Sequence, residues 1–228
     1  MAESAAEAYN SSPSSTRVLL LLSVKNADKG VRPASFPQRL AMMYIFGTEL
    51  LGRKEEVEVV DVGLSTLPYF SQKCEAISQD PFYSVPGGPA ATSMEQVYLA
   101  GYDTLIRIFN PKYYQADNSD GKAMQRALGP FFEKAKLRIT ARRGEWGGDG
   151  EQRAYLDGLA GGRLEEVGGR REWVGRVELV EATKDGRAVS STAVRRAVGK
   201  GDLEGLRGLL SDGVREWVVE EGLYREGE

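Results

Sequence analysis

The chain has 228 residues, with 30 Lys and Arg against 33 Asp and Glu and a formal net charge of -3. This length suffices for one domain, and the slight negative charge excludes a molecule that is attracted as a whole to nucleic acid or to an anionic membrane. One cysteine and no histidine exclude an internal disulfide, a cysteine-based zinc site, histidine-ligated metals and Ser-His-Asp or Cys-His catalysis. Chemistry here must depend on Arg, Lys, Ser, Thr, Asp, Glu and backbone amides.

The sequence shows no targeting or membrane-spanning segment. Residues 1–9 lack the basic and apolar regions of a secretory signal. The longest apolar run, Val18 to Leu22, is far shorter than the roughly 20 residues that span a bilayer. We therefore expect a protein of the cytoplasm and/or the nucleus, with no membrane partner and no nucleic-acid partner.

Apolar runs bounded by turn residues predict five strands. The first run, RVLLLLSV, is apolar along its length, which is typical of a strand covered on both faces of a parallel sheet. The predicted strands cover 17–24, 57–62, 97–100, 137–141 and 177–180. Helical spacing of apolar residues predicts helices at 2–9, 36–50, 103–109, 120–135, 150–159, 191–198, 202–210 and 213–221.

The alternation of strands and helices predicts the α/β class, with a Rossmann-like, doubly wound parallel sheet of about five strands. We expect a single domain over residues 1–228. Residues 64–95 are rich in Ser, Pro, Gly and Gln and predict a surface excursion. Ten glycines in residues 143–175 predict a second excursion, a mobile insertion around one short helix. Ser35 is expected to cap the helix at 36–50.

The segment VSSTAVRR, at 189–196, is the strongest functional signal. Ligands of such sheets bind beyond the carboxyl ends of the strands, and this segment follows the fifth strand. Ser190, Ser191 and Thr192 stand at a helix start, one turn before Arg195. Hydroxyls, backbone N–H groups and a guanidinium around one point suit phosphate oxygens. The alternative is a capped helix with a solvated basic face.

Other polar residues follow the predicted strands. In GYDT, Gly101 would permit close approach of a ligand and Asp103 would accept hydrogen bonds from ribose hydroxyls; alternatively, Asp103 caps the next helix. Lys29 could bind phosphate, and Arg142 follows the fourth strand, although charged loop residues are usually solvated. Arg39 lies on a predicted helix, where a charged side chain is more often an ordinary surface residue.

Neither a G-x-x-x-x-G-K-[ST] loop nor a G-x-G-x-x-G turn after a strand occurs.

Four segments together resemble the nicotinamide/nicotinate-nucleotide adenylyltransferase family of the nucleotidyltransferase superfamily, and most closely its divergent fungal branch. VSSTAVRRAV at 189–198 resembles the family's I-S-S-T-x-x-R signature. The other segments are LSVKNADKGVRPASFPQRLAMM at 22–43, GYDTLIRIFNPKYY at 101–114 and TARRG at 140–144. The resemblance covers most of the chain.

The resemblance implies a site for each substrate. It implies that the ATP phosphates are held by Ser190, Ser191, Thr192 and Arg195, and the ATP ribose by Gly101 and Asp103. It implies that the mononucleotide lies toward Lys29, Arg39 and Arg142. Arg195 and Lys29 are then the candidate catalytic residues. Mg²⁺ is expected to accompany ATP, with no metal site on the protein itself.

The implied reaction is attack by the 5′-phosphate of nicotinamide or nicotinate mononucleotide on the α-phosphorus of ATP, with pyrophosphate as the leaving group. The family opens with a strand and a G-x-F-x-P-x-H-x-G-H-type loop, whose histidines stabilise phosphate charge. Residues 1–9 resemble instead the second half of the helix that follows that loop. We therefore expect this chain to lack the first family strand, to be poorly stable by itself and to be impaired in catalysis. Two alternatives stay open: a non-catalytic nucleotide-binding module and a weak ATPase.

Overall fold

A computed structural model describes residues 5, 8–9, 16–24, 34–52, 57–84, 94–117, 120–141, 148–181 and 191–224. The predicted site residues Lys29, Arg142 and Ser190 lie outside the described residues. Of the short helix predicted at 2–9, the described residues are helical. No helix in these described ranges is both long and apolar enough to cross a bilayer.

Strands and helices alternate along the described chain. The strands are β1 (Arg17–Ser23), β2 (Val59–Ser65), β3 (Gln96–Gly101), β4 (Ala135–Thr140) and β5 (Val177–Val180). The helices are α1 (Phe36–Gly52), α2 (Phe70–Gln79), α3 (Tyr102–Ile108), α4 (Ala123–Lys134), α5 (Asp149–Gly158), α6 (Ser191–Gly199), α7 (Leu203–Leu206) and α8 (Asp212–Glu220). Shorter helical turns cover Pro81–Tyr83, Pro111–Asp117, Leu159–Arg163, Leu164–Glu166 and Arg171–Arg176.

The chain divides into two compact units. Unit 1 comprises Met1–Pro68 and Arg187–Glu228, and unit 2 comprises Tyr69–Gly186. The expectation of a single domain over residues 1–228 stays a prediction.

Unit 1 is built on a parallel pair of strands, β1 and β2, in register from Arg17 opposite Val59 to Ser23 opposite Ser65. Helix α1 packs on this pair closely at Gly47, where a Cβ would lie 3.4 Å from Val60 Cγ1. Helix α8 packs against α1 through an apolar cluster. The cluster consists of the buried Ala34, Val214, Val218 and Leu223 with the partly buried Met42, Ile45, Phe46, Val198, Leu210, Trp217 and Tyr224.

Unit 2 is built on three parallel strands in the order β3-β4-β5. The central strand β4 is the most deeply buried, with Ala135, Leu137 and Ile139 all fully inaccessible to solvent. Aromatic rings extend this core. Phe132 of α4 stacks on Trp173 with ring centroids 5.2 Å apart. Ala135, Leu137 and Ile139 alternate with Lys136, Arg138 and Thr140, so one face of this strand is apolar and packs into the core.

The prediction of the fold class is confirmed. The described residues form an α/β structure with five strands, all paired in parallel, in sheets of two and three. The predicted strand positions are also confirmed, with shifts of a few residues at their ends. The largest shift is in β2, which begins at Val59 and continues to Ser65.

Three predictions of local structure differ from what is observed. Residues 64–95 include the unpredicted helix α2, which buries Cys74 to 1% exposure. Residues 143–175 supply Leu164 and Trp173 to the core of unit 2, so the described part of this segment is not a mobile insertion. The glycines interrupt the periodic spacing of the apolar residues in this segment, so the sequence pattern did not indicate which of them are buried.

The third difference is the helix predicted at 202–210, which is limited to α7. Asp202 caps this short helix by accepting from the backbone N–H of Gly205 at 2.8 Å. The helix ends at Arg207, whose backbone is extended with ψ 129°, and Gly208 then adopts φ 80°, a left-handed conformation that glycine adopts at little cost. Leu206 is nevertheless fully buried, which explains the apolar spacing in this stretch.

Candidate functional site

Arg39 lies in the first turn of α1, next to the carboxyl end of β1. Ser35 and Gln38 form a reciprocal capping box, with Ser35 N–H donating to Gln38 Oε1 at 2.7 Å and Gln38 N–H donating to Ser35 Oγ at 3.4 Å. This confirms Ser35 as the cap and fixes where α1 begins. Arg39 Nη2 donates to the carbonyl of Ser23, the last residue of β1, at 2.9 Å. Arg39 is therefore held where ligands of parallel sheets bind.

A cleft of about 400 Å³ opens beside Arg39 in unit 1. Its walls come from the end of β1, from α1, from the segment between α7 and α8 and from the start of α8. The lining residues are Leu22, Arg39, Met42, Met43, Phe46, Leu209, Leu210, Ser211 and Val214. Arg39 gives this mainly apolar lining a positive charge.

The hydroxyl-rich segment forms the first turn of α6. Arg195 Nε donates to the carbonyl of Ser191 at 3.1 Å, and Arg195 Nη2 lies 3.5 Å from Thr192 Oγ1. All three side chains are exposed, whereas Val194 and Ala197 are buried on the opposite face of the helix. The structure thus brings a guanidinium, a hydroxyl and a helix N-terminus together on one exposed surface.

Arg39 and Arg195 both act on one further residue, Tyr224. Burial raises the pKa of the Tyr224 hydroxyl, and the positive charges of Arg195 and Arg39 oppose that rise. The two arginines belong to different helices that are far apart in the sequence. Tyr224 follows the last helix and belongs to no recognisable motif, so no sequence signal marked it.

In unit 2, Gly101 and Asp103 stand at the junction of β3 and α3. Gly101 is both the last residue of β3 and the N-cap of α3, with φ -86° and ψ 163° and no side-chain capping bond. Asp103 is therefore the second residue of the helix, and the alternative in which Asp103 is the N-cap is wrong. The side chain is half-buried, with its Oδ1 atom inaccessible to solvent.

Helix α5, within the segment predicted as an excursion, contacts Tyr102, the residue before Asp103. Tyr102 is buried and meets the ring of Tyr155 edge-on, with centroids 5.9 Å apart. Burial raises the pKa of both phenols, so both stay neutral hydrogen-bonding groups at neutral pH. Gln152 is also fully buried. A polar side chain in an otherwise apolar helix face is the only sequence signal that could have found it.

The described residues include no group of three or more Asp, Glu or Cys side chains placed to hold a metal ion. In this part of the chain, then, the protein offers no cage for Mg²⁺. A Mg²⁺ ion commonly takes its ligands from substrate phosphates and one or two carboxylates.

Comparison with known proteins identifies a relative. A scan against protein-family models finds none that matches. A protein of Schizosaccharomyces pombe (strain 972 / ATCC 24843) named "Putative nicotinamide mononucleotide adenylyltransferase" is 35% identical over 199 residues, which is 87% of this chain and 71% of the relative. The chain belongs to the nicotinamide mononucleotide adenylyltransferase family. The resemblance found in the sequence is therefore confirmed at the level of the family, while its assignment to a divergent fungal branch stays a prediction.

The roles of the individual site residues stay predictions within this family. Arg39, Ser191, Thr192 and Arg195 are described in unit 1, and Gly101 and Asp103 are described in unit 2. Lys29, Arg142 and Ser190 lie outside the described residues, so their predicted roles have no structural account.

Proposed function

We propose that this protein is a nicotinamide-nucleotide adenylyltransferase, which transfers AMP from ATP to nicotinamide mononucleotide and produces NAD and pyrophosphate. The observation that carries the proposal is the first turn of α6, where the Arg195 guanidinium lies across Ser191 and Thr192. Membership of the family supports the choice of acceptor, because the relative is named for nicotinamide mononucleotide.

The proposed reaction needs positioning and neutralisation of charge. A phosphate oxygen of the mononucleotide forms a bond to the α-phosphorus of ATP, and the bond from that phosphorus to the bridging oxygen of the β-phosphate breaks. The electron pair leaves with pyrophosphate. Arg195, with the hydroxyls and backbone N–H groups of the α6 start, would bind the leaving phosphates and stabilise the negative charge that develops on them. No protein nucleophile is required, which suits a chain without histidine.

The remaining predicted residues would align the two substrates. Asp103 would accept hydrogen bonds from the ATP ribose, and Gly101 would allow the nucleotide to approach the end of β3. Arg39, held at the end of β1, would attract the phosphate of the mononucleotide together with Lys29 and Arg142. Mg²⁺ would enter bound to the ATP phosphates and would add positive charge there.

The test is product analysis on the purified chain with Mg-ATP and nicotinamide mononucleotide, in which NAD, pyrophosphate and ADP are quantified. We expect NAD and pyrophosphate in equal amounts. ATP binding without turnover contradicts the proposal in favour of a non-catalytic module, and ADP with inorganic phosphate contradicts it in favour of an ATPase. The same assay tests the expectation that catalysis by this chain is impaired. The same assay with nicotinate mononucleotide as the acceptor shows which of the two bases is preferred.

Replacement of Arg195 tests the role of α6. Arg195→Ala should weaken ATP binding by about 1.5–3 kcal/mol, the usual contribution of a hydrogen bond to a charged group. Isothermal titration calorimetry measures this. The matched control is Arg196→Ala, which removes an equally exposed arginine from the next position of the same helix and should leave ATP affinity nearly unchanged. If both variants bound ATP with equal affinity, Arg195 would have no specific role in binding, and the segment would be an ordinary capped helix with a solvated basic face.

A further inference from the structure

Helix α1, which is described along its whole length, has no charged residue among its exposed residues. Its two charged residues are half-buried, and both make hydrogen bonds: Arg39 donates to the Ser23 carbonyl, and Glu49 accepts from the start of α8. The exposed residues of α1 are Phe36, Pro37, Tyr44, Thr48, Leu51 and Gly52. Because a surface helix normally turns a charged or polar face to water, this side of α1 has the composition of a covered face.

The exposed side of α1 overlies the outer edge of β2. A Cβ at Gly47 would lie 3.4 Å from Val60 Cγ1 and 3.8 Å from Val62 Cγ2, so α1 packs directly on β2. Helix α8 packs on one flank of α1, and the cleft between these two helices is lined by β1. At 3.6 residues per turn, Tyr44 and Leu51 lie on the opposite flank, which is the flank above β2.

The backbone of β2 has one edge that pairs with no other strand among the described residues. Val24 N–H donates to the Ser65 carbonyl at 2.8 Å, so the backbone groups of Ser65 face β1. Because this direction alternates along a strand, the N–H and C=O groups of Val60, Val62 and Leu64 face outward. They are available to pair with an added strand.

The side chains of these outward residues lie on the face of the strand pair that carries α1. Val62 is 39% exposed and Leu64 is 55% exposed. Exposed sheet edges usually carry a charged residue or a proline that prevents pairing with another chain, and the outward residues of β2 are all apolar. We call the exposed apolar side chains of this region the outer patch; they are Tyr44, Leu51, Val62 and Leu64.

The β2 edge is complementary to the same edge of a second copy. Antiparallel pairing over the full length of Val59–Ser65 places Val62 opposite Val62 and Val60 opposite Leu64, and each pair can exchange two backbone hydrogen bonds. The two α1 helices then lie on the same face of a four-stranded sheet. The centres of the two strand pairs are about 9.6 Å apart, which is twice the spacing of strands and lies within the range of about 8–10 Å between the axes of packed helices.

We propose that a second copy of this chain binds the outer patch and forms a two-fold dimer, with β2 paired to β2 and α1 packed beside α1. The patch presents no charge that would attract an acidic or basic partner, and a chain with a net charge of -3 repels its own copies elsewhere on the surface. Two uncharged patches can meet without placing like charges opposite each other. This inference is independent of the proposed function.

Sedimentation equilibrium of the full chain over a series of concentrations tests the proposal. We expect the mass of the wild type to rise with concentration towards twice 25.0 kDa. Val62→Lys places two like charges opposite each other across the two-fold axis, which destabilises a strand pair, and should be monomeric at the same concentrations. The matched control is Leu203→Lys, which changes a 54% exposed residue of α7 outside the outer patch and should stay dimeric.

A mixture of variants tests whether β2 pairs with itself. Val62→Glu alone should be monomeric for the same reason as Val62→Lys. An equimolar mixture of the two variants should form a dimer, because a lysine then lies opposite a glutamate. A mixture that stays monomeric overturns the inference.

The other outcomes are equally decisive. A wild-type chain that is monomeric at every concentration overturns the inference and leaves the edge of β2 to a strand of another protein. A dimer that persists in both Val62→Lys and Tyr44→Lys, or that is lost in Leu203→Lys, also overturns it. If Val62→Lys fails to melt cooperatively, Tyr44→Lys, at a position that is 70% exposed, takes its place with the same criteria.

Discussion

Asp103 lies in the first turn of α3, where the partial positive charge of the helix N-terminus favours a carboxylate. Gly101, which has no side chain, occupies the N-cap, and Asp103 is the second residue of the helix. The Asp103 side chain is half-buried, just beyond the carboxyl end of β3. At this end of β3, the Asp103 carboxyl group is predicted to accept hydrogen bonds from the ATP ribose.

The Asp103→Asn variant tests this role, because it keeps the shape of the side chain and removes the charge. We expect ATP affinity to fall about tenfold, since hydrogen bonds to a charged acceptor contribute about 1.5–3 kcal/mol. The affinity for 2′,3′-dideoxy-ATP, which lacks both ribose hydroxyls, should be the same in the variant and the wild type. Calorimetric titration with each nucleotide measures both values.

The control is Asp212→Asn, at the first turn of α8, where the carboxyl group is 81% exposed and pairs with Arg215. That change should leave both affinities unaltered. If Asp103→Asn weakened both nucleotides equally, the carboxylate would not contact the ribose.

At the scale of the elements, α1 supplies the cap of α8. Ser211 occupies the N-cap position of α8 but makes no side-chain capping bond within its own helix. Glu49 of α1 accepts instead, with Oε1 taking the Gly213 N–H at 2.7 Å and Oε2 taking the Ser211 hydroxyl. A carboxylate at a helix N-terminus also interacts favourably with the helix dipole. One side chain of α1 thereby holds the start of α8 in place.

The Glu49→Ala variant should lower the free energy of unfolding by about 2 kcal/mol, because it leaves a partly buried N–H and a hydroxyl without their charged acceptor. Urea unfolding, followed by circular dichroism, measures the change. Glu216→Ala is the control, since Glu216 is an exposed residue of α8 and its loss should change stability by less than about 0.5 kcal/mol. Equal unfolding midpoints for the two variants would show that the cap from α1 contributes little.

At the scale of the whole molecule, the composition and the ion pairs of unit 2 set the response to pH. Hydrogen bonding from Lys134 holds the pKa of Glu75 below its usual value. Hydrogen bonding from Lys136, aided by Arg176, does the same for the pKa of Glu95. A carboxyl group with a lower pKa in the folded state stabilises the fold above its unfolded pKa of about 4.3, and this contribution is lost as the pH falls through the folded pKa.

We therefore expect stability to be nearly constant from about pH 6 to 8, where a chain without histidine has no imidazole to titrate. Stability should decline as the pH falls below about 5, and Glu95→Gln should make that decline shallower. Urea midpoints at a series of pH values measure it, with Glu216→Gln as the control. Both glutamates are about half exposed, so added salt should weaken the effect. A steep change between pH 6 and 8 would contradict this account.

Much of the fold could be predicted because its determinants are close together in the sequence. The apolar run of β1 and the Ser35–Gln38 capping box depend on neighbouring residues. The hydroxyls of α6 and Arg195 are one helical turn apart and meet wherever that helix forms. By contrast, the stacking of Trp173 on Phe132 was missed, since a glycine-rich segment gives no periodic signal.

From the sequence alone we could predict the α/β class, the parallel sense of the strands, the family and a hydroxyl-rich helix start at α6 with Arg195 one turn later. All of these follow from local patterns of apolar, hydroxyl and charged residues. The tertiary structure adds that Glu49 caps a helix 164 positions away and that Phe132 stacks on Trp173. Such contacts depend on packing between elements that are distant along the chain. The local propensity of each segment does not indicate which elements will pack together.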